Sequence, residues 1–590
     1  RDYWTKYKEK DSAPFIPYAY GYGDGGGGPT IEMLERFPFL SKVPGLPRIK
    51  PFSEKDYLEK IEKVRDGLPV WNNELYVEYH RGTYTTNLPV KELMWRAEKN
   101  LYIAELVATA SYLKTREDYA RRLERIWKTV LLNQFHDVLP GSSIMEVYDE
   151  ATRELTRAIQ ELADITKEGL QSLTNGGSGN VGFFNPLPWG RKAIVSVPRH
   201  LQPKGARCQD NGKELLVEVE LPPAGYRSME IGESKCEPRG SIIVEEKDDG
   251  VLVNNGVLEL FVASNGEIKY LKLVPSGREI LSYPSNSLRI HVDKPGVFDA
   301  WELTDDFLTQ WEDTVTVSKP RIVSNGPLQA CIEYEKSYKK SRIKQTICVY
   351  DSSPVVEVKT RLEWYDKGYL LKAWFKPSFK PLRAVFETPY GVVERSPSWK
   401  TSWDKAKFES PALRWVDISN GEVGFAVISP SRHGYSVSEE AVSLSLIKSP
   451  LFPNPWSDLG EFEFTYYIYP HLGGYEEARV PFVSSEVLYD PVIFDTGSPA
   501  GMAESFIEIE PPEVLLGAFK KSEDGDGVVI RLYNPQSRNV KTRVKLNAVF
   551  REAVEVDIPE LNSLGKIETR DGEILVEMAP YEVKTIKLLK

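Results

Sequence analysis

The sequence predicts a multidomain α+β protein in which a helical block is followed by a long β region. At 590 residues the chain is far longer than a single hydrophobic core usually extends, so several domains are expected. Helical periodicity runs between roughly residues 53 and 175. Beyond that block, apolar and polar residues alternate between turns rich in Gly, Asn and Pro, which is typical of antiparallel β-sandwiches.

Three helices are predicted within the block, and their short connections indicate a helix bundle. Apolar residues of the first helix share one face: Leu93, Ala97, Leu101, Ala104 and Val107. Those of the second helix do the same: Leu123, Ile126, Trp127 and Val130. The third helix is predicted to open with a capping box, in which Ser143 accepts from the Glu146 amide and Glu146 reaches back.

The helical signal stops after Thr174, where Gly and Asn become frequent. Before the block, the first fifty residues are rich in Tyr, Pro and Gly, with one short helical stretch at Thr30–Phe37. These shifts predict five regions: residues 1–50, a three-helix bundle at 51–176, a small β domain at 177–250, a large β-sandwich at 251–500 and a C-terminal β-sandwich at 501–590.

Composition excludes several classes of protein. The net charge is −11 and basic residues are scattered among acidic ones, so no surface is predicted to bind nucleic acid. No run of eighteen apolar residues is present, so no membrane partner is expected. The four cysteines are too few and too widely spaced for a disulfide framework or a Cys-rich zinc site. That spacing predicts a reducing compartment, and therefore a cytoplasmic location.

His136 and Asp137 form the most informative pair in the chain. The helical pattern runs into them, breaks at Pro140–Gly141 and then restarts. An imidazole and a carboxylate are thus placed side by side at a helix break, where they can face a pocket. The alternative is a structural role, because a single His near a helix end is often a cap or a packing residue.

The Gly-rich segment Gly21-Tyr-Gly-Asp-Gly-Gly is a second candidate. It fits a dinucleotide-binding pattern poorly, because the following helix is short and Asp24 would face the pyrophosphate. Either it is only a turn, or its glycines let the backbone approach a small ligand while Asp24 serves as a proton donor. Further on, Tyr76–Thr85 crowds aromatic rings, hydroxyls and Arg81 into one loop. Such a lining suits a sugar, and it equally suits a polar seam between domains.

His291 and Asp293 have a spacing found in some metal sites. They lie in an alternating β stretch, where residues two apart share a face. No further ligand is apparent nearby, and a zinc site needs three or four. We therefore interpret this pair as structural.

Taken together, these segments resemble the family 38 glycoside hydrolases, the retaining α-mannosidases. The Gly-rich segment from Gly21, the loop Glu74–Thr85 and the stretch Leu131–Ser143 all match, and three later segments follow in the same order: Phe298–Trp301, Leu413–Asp417 and Asp458–Phe462. The resemblance implies the end of an α/β barrel at residues 1–50, followed by the three-helix bundle and the β-sandwich domains. It also implies a terminal α-linked mannose substrate.

The resemblance further implies one zinc ion per active site, which holds the sugar hydroxyls. His136 matches a zinc ligand of the family, and Asp137 matches a carboxylate that binds substrate hydroxyls. Asp24 lies in the segment that carries the general acid/base, while Arg81 and Tyr84 belong to the loop expected to bind the substrate. The family's other zinc ligands and its nucleophile lie upstream of the Gly-rich segment, so an N-terminal part of the catalytic domain is expected to complete the site.

Two hypotheses follow from this resemblance. The first is a zinc-dependent retaining exo-α-mannosidase whose active site is completed from outside this chain. The second is a catalytically inactive carbohydrate-binding or scaffold fragment of such an enzyme. Zinc content and hydrolysis of an aryl α-mannoside discriminate between them. Linkage preference and oligomeric state, including a homo-oligomer, are left open by the sequence.

Overall fold

A computed structural model describes residues 2–23, 26–72, 74–174, 176–177, 179–233, 236, 240–570 and 572–589. The chain forms two compact units, residues 1–75 and 76–590. The helices of the first unit are α1 Asp2–Lys6, α2 Ile31–Leu40 and α3 Glu54–Glu62. Those of the second unit are α4 Leu88–Thr115, α5 Ala120–Asn133, α6 Met145–Leu173, α7 Ser402–Ala406 and α8 Val480–Leu488.

The first unit is built around short capped helices. The Met33 amide donates to the Thr30 hydroxyl at 3.2 Å, which confirms the helix start predicted at Thr30. In the Gly-rich segment the Gly27 amide donates to the Tyr22 carbonyl at 2.8 Å. Asp24, the predicted general acid/base, lies outside the described residues.

The long helices α4, α5 and α6 pack into a bundle around one apolar core. Most positions predicted to face that core do so: Ala97, Leu101, Ala104, Leu123, Ile126 and Val130. Trp127 was expected on the same face, but this prediction is wrong, because 36% of its surface is exposed. The indole N–H requires a hydrogen-bond partner, and it donates to the Glu105 carboxylate at 3.1 Å on the outer side of the bundle.

The capping box predicted at Ser143 does not form. Helix α6 begins at Met145, with Ile144 in the N-cap position and no side-chain cap. The Ser143 amide donates instead to the Tyr148 hydroxyl at 2.6 Å. A tertiary hydrogen bond has thus replaced the local cap, and the helix starts one residue later than the pattern indicated.

The strands before residue 300 lie in this order: β1 Asn180–Asn185, β2 Arg191–Val197, β3 Cys208–Asp210, β4 Leu215–Leu221, β5 Gly225–Glu230, β6 Ile243–Lys247, β7 Gly250–Asn254, β8 Leu258–Ala263, β9 Ile268–Leu273 and β10 Arg278–Val292. Those up to residue 475 follow: β11 Trp311–Asp313, β12 Val315–Asn325, β13 Gln329–Tyr338, β14 Ser341–Tyr350, β15 Val356–Trp364, β16 Tyr369–Pro377, β17 Arg383–Thr388, β18 Gly391–Arg395, β19 Ser410–Pro411, β20 Trp415–Ser419, β21 Val423–Ile428, β22 Gly434–Val437, β23 Val442–Lys448 and β24 Gly460–Leu472.

The remaining strands belong to the C-terminal part of the chain: β25 Val492–Thr496, β26 Ala503–Ser505, β27 Ile507–Glu510, β28 Leu515–Lys521, β29 Gly527–Tyr533, β30 Val540–Leu546, β31 Glu552–Val556, β32 Ser563–Lys566, β33 Thr569–Arg570, β34 Glu573–Met578 and β35 Val583–Leu589. Two smaller sheets follow the bundle, with strand orders β25-β1-β5-β26 and β2-β4-β3.

A large sandwich forms the centre of the second unit. Its sheets have the orders β19-β22-β23-β16-β10-β9-β8-β7-β6, with β11 paired to β10, and β12-β13-β14-β15-β24-β21-β20-β17-β18. Their inner faces share the largest apolar core, which includes Trp364, Leu371 and Phe425. The strand pairs are antiparallel, for example β13 with β14, as the alternating pattern predicted.

A second, C-terminal sandwich pairs the sheets β27-β30-β34-β33 and β28-β29-β35-β31-β32. Its apolar core is continuous with one side of the bundle, because Ile103 and Val107 of α4 belong to it together with Phe519 and Ile530. The bundle therefore packs directly against this sandwich. Helix α4 contributes residues to both apolar cores.

The four cysteines form two disulfides, which corrects the expectation drawn from their spacing. Cys208 pairs with Cys236, and Cys331 pairs with Cys348. The second pair is explained by register, since Cys331 lies directly opposite Cys348 on the adjacent antiparallel strands β13 and β14. Separation along the sequence does not reveal such cross-strand neighbours, so the inference from cysteine spacing to a reducing compartment fails.

Alkylation of the denatured protein tests this pairing. Without a reductant, a thiol-reactive reagent is expected to add to none of the cysteines, and after reduction it is expected to add to all four. Intact-mass spectrometry counts the additions. Four additions before reduction would show that the cysteines are free thiols.

In the described ranges, no helix is both long enough and apolar enough to cross a membrane.

Candidate active site

His136 and Asp137 lie in the turn that follows α5, and both side chains face outward. The helix ends at Asn133, and the chain then makes a tight turn before α6. The imidazole Nε2 is 3.6 Å from the Asp137 carboxylate, and the two side chains are 77% and 67% exposed. The Phe135 ring lies beside the imidazole, with 4.3 Å between ring centroids. The pair is therefore displayed at the surface of this unit and does not cap a helix.

Gly141 fixes the turn that carries this pair. Its φ is +87°, and a Cβ at this position would lie 2.2 Å from the Thr86 carbonyl oxygen. Only glycine permits so close an approach of two backbones. Lys91 joins the same two segments, because its ammonium donates to the carbonyls of Thr86 and Leu139, the latter at 2.9 Å. The turn is thus bound directly to the segment that precedes α4.

Asp458 holds the start of α4. Its carboxylate accepts from the amides of Asn87 and Leu88 at 2.7 and 2.6 Å, although it lies about 370 residues away in sequence. These amides have no carbonyl partner within the helix, and the positive end of the helix favours a negative charge. Burial raises the pKa of Asp458 and lowers the pKa of Lys91, which lies nearby. Removing either charge would leave the other poorly compensated.

The predicted sugar-binding loop forms a 3₁₀ turn at Arg81–Tyr84. The buried Arg81 guanidinium donates to Glu302 at 3.2 Å and to the Ala406 carbonyl at 2.7 Å. It also stacks on the Phe408 ring at 4.3 Å. These contacts of the Arg81 side chain therefore hold the loop in position. Tyr84 is half-buried, and burial raises the pKa of its hydroxyl to about 12.

The segment Phe298–Trp301 supports the same loop through its backbone. The Gly82 amide donates to the Trp301 carbonyl at 2.7 Å, and the Thr86 hydroxyl donates to the Ala300 carbonyl at 2.9 Å. Gly82 also approaches Lys448 so closely that a Cβ would lie 2.7 Å from its Cε. The segments 81–86 and 298–301 are therefore held together, and Lys448 of β23 packs against them. We refer to these residues as the platform.

Buried ion pairs lie beneath this platform. Lys448 pairs with Asp293, and Lys372 pairs with Glu409, which also accepts from Ser436 and Ser445 at 2.6 Å each. His291 accepts from the Trp374 indole at 3.2 Å, when its Nε2 is unprotonated. The candidate pair His291 and Asp293 thus has protein partners inside the sandwich, in keeping with a structural interpretation.

Sequence reasoning did not identify Asp458, Lys91 or Glu302 as supports of the site. The segments around Asp458 and Asp299 are indicated only by the family resemblance. A local signal exists for one of the ion pairs, because Lys372 interrupts the apolar run Tyr369–Phe375 of β16. A lysine in such a strand indicates a buried partner, but the pattern does not show which carboxylate it is.

The fit of a zinc ion can be tested on this arrangement. Among the described residues, no group of three or more His, Cys, Asp or Glu side chains is placed to hold a metal ion. Catalytic zinc keeps three protein ligands, whereas the turn after α5 presents only His136 and Asp137. The described residues alone therefore do not make a zinc site.

Comparison with known domains gives four matches in chain order. The glycosyl hydrolases family 38 N-terminal domain matches residues 1–74, and the alpha mannosidase middle domain matches residues 78–173. The family 38 C-terminal domain matches residues 253–456, and its C-terminal beta sandwich domain matches residues 513–586. The chain belongs to family 38 of the glycosyl hydrolases.

Two curated relatives of this chain are named as alpha-mannosidases. Alpha-mannosidase 2C1 of Homo sapiens is 29% identical over 99% of this chain and 56% of its own length. Alpha-mannosidase G of Dictyostelium discoideum is 28% identical over 97% of this chain and 57% of its own length. The chain thus spans little more than half the length of these relatives.

Solved structures share the fold. An alpha-mannosidase from Enterococcus faecalis has a TM-score of 0.75 at 15% identity, over 91% of this chain and 72% of its own. A family 38 protein from the same organism has a TM-score of 0.76 at 14% identity, over 99% of this chain and 79% of its own.

Proposed function

We propose that this chain is part of a retaining exo-α-mannosidase, which removes terminal α-linked mannose from oligosaccharides. The observation that carries this proposal is the exposed His136–Asp137 pair, held in one position by Gly141 and Lys91. An exposed pair on a rigid turn can contact a ligand without first rearranging. Family membership and the names of the relatives supply the reaction class.

Each predicted residue takes a role in this proposal. Asp137 binds the sugar hydroxyls, and Tyr84 offers its protonated hydroxyl to the substrate. Arg81 is anchored by Glu302, so it acts by positioning the loop. Asp24 is the general acid/base, which protonates the leaving oxygen and then deprotonates the attacking water.

Zinc belongs to this proposal as a cofactor of the whole protein. When bound, it would supply Lewis-acid stabilisation of the sugar hydroxyls. His136 is proposed as one ligand, and the others would come from the N-terminal part of the catalytic domain that this chain does not cover. The roles given to Asp137, Tyr84 and Asp24 do not depend on the metal.

The cytoplasmic location predicted from the sequence also stays a proposal. The two disulfides count against it, because disulfides are rare in the cytosol outside hyperthermophiles.

A pair of histidine variants tests the function. His136→Ala is expected to lower kcat/KM of the whole protein for p-nitrophenyl α-mannoside at least about 100-fold, because a proposed zinc ligand is lost. The matched control is His200→Ala, which removes another exposed imidazole and should leave kcat/KM unchanged. Zinc content measured by mass spectrometry should fall only in His136→Ala.

Two results would contradict this function. Wild-type kcat/KM in His136→Ala would remove this residue from the active site. Binding of the mannoside without any hydrolysis would support the inactive carbohydrate-binding protein instead.

A further inference from the structure

A large cavity lies where the helical bundle meets the two β-sandwiches. Its volume is about 880 Å³, within the range of about 300–1,000 Å³ typical of ligand sites. Its walls come from α4, from α5, from Arg414 just before β20 and from β29, which ends at Tyr533. Gln134, two residues before His136, is among the residues that line it. We refer to this cavity as the bundle groove.

Aromatic rings line the bundle groove. Trp127 and Tyr390 are 36% and 42% exposed, so part of each ring is accessible. Tyr390 stands edge-on to Tyr533, with 5.2 Å between ring centroids. Tyr102 meets Tyr489 in the same way at 5.1 Å. Rings fixed by such contacts offer preformed faces for stacking.

The charged side chains of the bundle groove are largely neutralised by one another. Arg414 donates to Glu387 at 2.9 Å, and Lys521 pairs with Asp118 at 2.6 Å. Lys520 pairs with Glu560 at 2.9 Å. An ionic ligand would have to break these pairs, whereas a neutral ligand would not.

The remaining polar groups suit hydroxyls. Glu98 accepts from the Gln134 amide at 2.7 Å, and Glu105 accepts from the Trp127 indole at 3.1 Å. Burial raises the pKa of both carboxyl groups, that of Glu105 to about 7. A protonated carboxyl group can both donate and accept hydrogen bonds, as can a tyrosine hydroxyl. A sugar presents donors and acceptors of this kind together with apolar ring faces.

We infer that the bundle groove is a second carbohydrate site, which binds a neutral mannose-containing oligosaccharide between Trp127 and Tyr390. The choice of mannose rests on the proposed function, whereas the neutral, polyhydroxylated class of ligand rests on the lining alone. Because Gln134 precedes the His136 turn, a chain bound here would lie next to the candidate active site. The groove would then retain the body of a branched substrate between successive cleavages.

Binding of an S-linked α-mannotriose, which resists hydrolysis, tests this inference by calorimetry. The wild-type protein is expected to bind it, and Trp127→Ala and Tyr390→Ala are each expected to weaken Kd at least about tenfold through the loss of a stacking ring. Trp456→Ala is the matched control, since this ring is 65% exposed and lies outside the groove. Its Kd should equal that of the wild type.

Absence of binding by the wild-type protein would overturn the inference, as would equal Kd values for Trp127→Ala, Tyr390→Ala and Trp456→Ala. Circular dichroism shows whether each variant is folded, and Tyr390→Ala keeps the test decisive if Trp127→Ala is not. Hydrolysis is measured separately with the aryl mannoside. A protein that binds mannotriose in the groove without hydrolysing the aryl mannoside would therefore refute the proposed function and leave the groove site standing.

Discussion

Replacement of Gly141 by alanine is expected to destabilise the bundle by about 3–5 kcal/mol, since it adds backbone strain to overpacking. The residue has a φ of +87°, and a Cβ would lie 2.2 Å from the Thr86 carbonyl and 2.9 Å from the Asn87 Cβ. Backbone atoms cannot move aside as a flexible side chain can. The turn must shift instead, and His136 and Asp137 shift with it. Thermal unfolding followed by circular dichroism measures the loss of stability.

Gly256→Ala provides the matched control for Gly141. Gly256 has a similar φ of +84°, but an added Cβ would meet no atom within 4 Å. This variant should lose only about 1–2 kcal/mol from the left-handed backbone. Mannoside hydrolysis should fall about 100-fold in Gly141→Ala and stay unchanged in Gly256→Ala, because only the first displaces the turn. Equal effects of the two variants on stability and hydrolysis would show that the contact with Thr86 is unimportant.

Asp458→Ala is expected to destabilise the second unit by about 3–5 kcal/mol. Two buried amides, those of Asn87 and Leu88, would lose their acceptor. Lys91 would also lose the negative charge of Asp458, which favours the charged form of its buried ammonium. Because the platform depends on the start of α4, hydrolysis should fall together with stability. Chemical denaturation monitored by tryptophan fluorescence measures the difference in unfolding free energy.

Asp490→Ala is the control for a simple loss of charge. Asp490 pairs with Lys99 of α4 at 2.8 Å, but the Asp490 side chain is 76% exposed. An exposed pair of this kind contributes at most about 1 kcal/mol. A loss of the same small size in Asp458→Ala would mean that its carboxylate does not cap the helix.

The local pattern of the chain predicted its main elements well. Helix periodicity located α4, α5 and α6, and alternation predicted antiparallel β structure after Thr174. In a helix, residues three or four apart share a face, and in a strand, residues two apart do. Both patterns can therefore be read from the sequence alone. The break at Pro140–Gly141 likewise located the exposed turn with His136 and Asp137.

The errors have a common cause in contacts between distant parts of the chain. Ser143 does not cap α6, and its amide donates to the Tyr148 hydroxyl instead. The Trp127 indole donates to Glu105 on another helix. The cysteines paired through strand register, which spacing does not show. In each case a partner from another element outweighed the local preference.

The sequence by itself determined the order of helical and β regions, the position of the His136–Asp137 pair and, through several motifs in register, the resemblance to family 38. Only the tertiary structure decided what holds that pair in place. The Asp458 carboxylate accepts from the amide of Leu88, which is 370 residues away in sequence, and the Gly141 backbone contacts the Thr86 backbone. Periodicity reports which face of an element is apolar, but the free energy of a buried carboxylate depends on which donors the fold brings to it. Those donors are known only once the chain has folded.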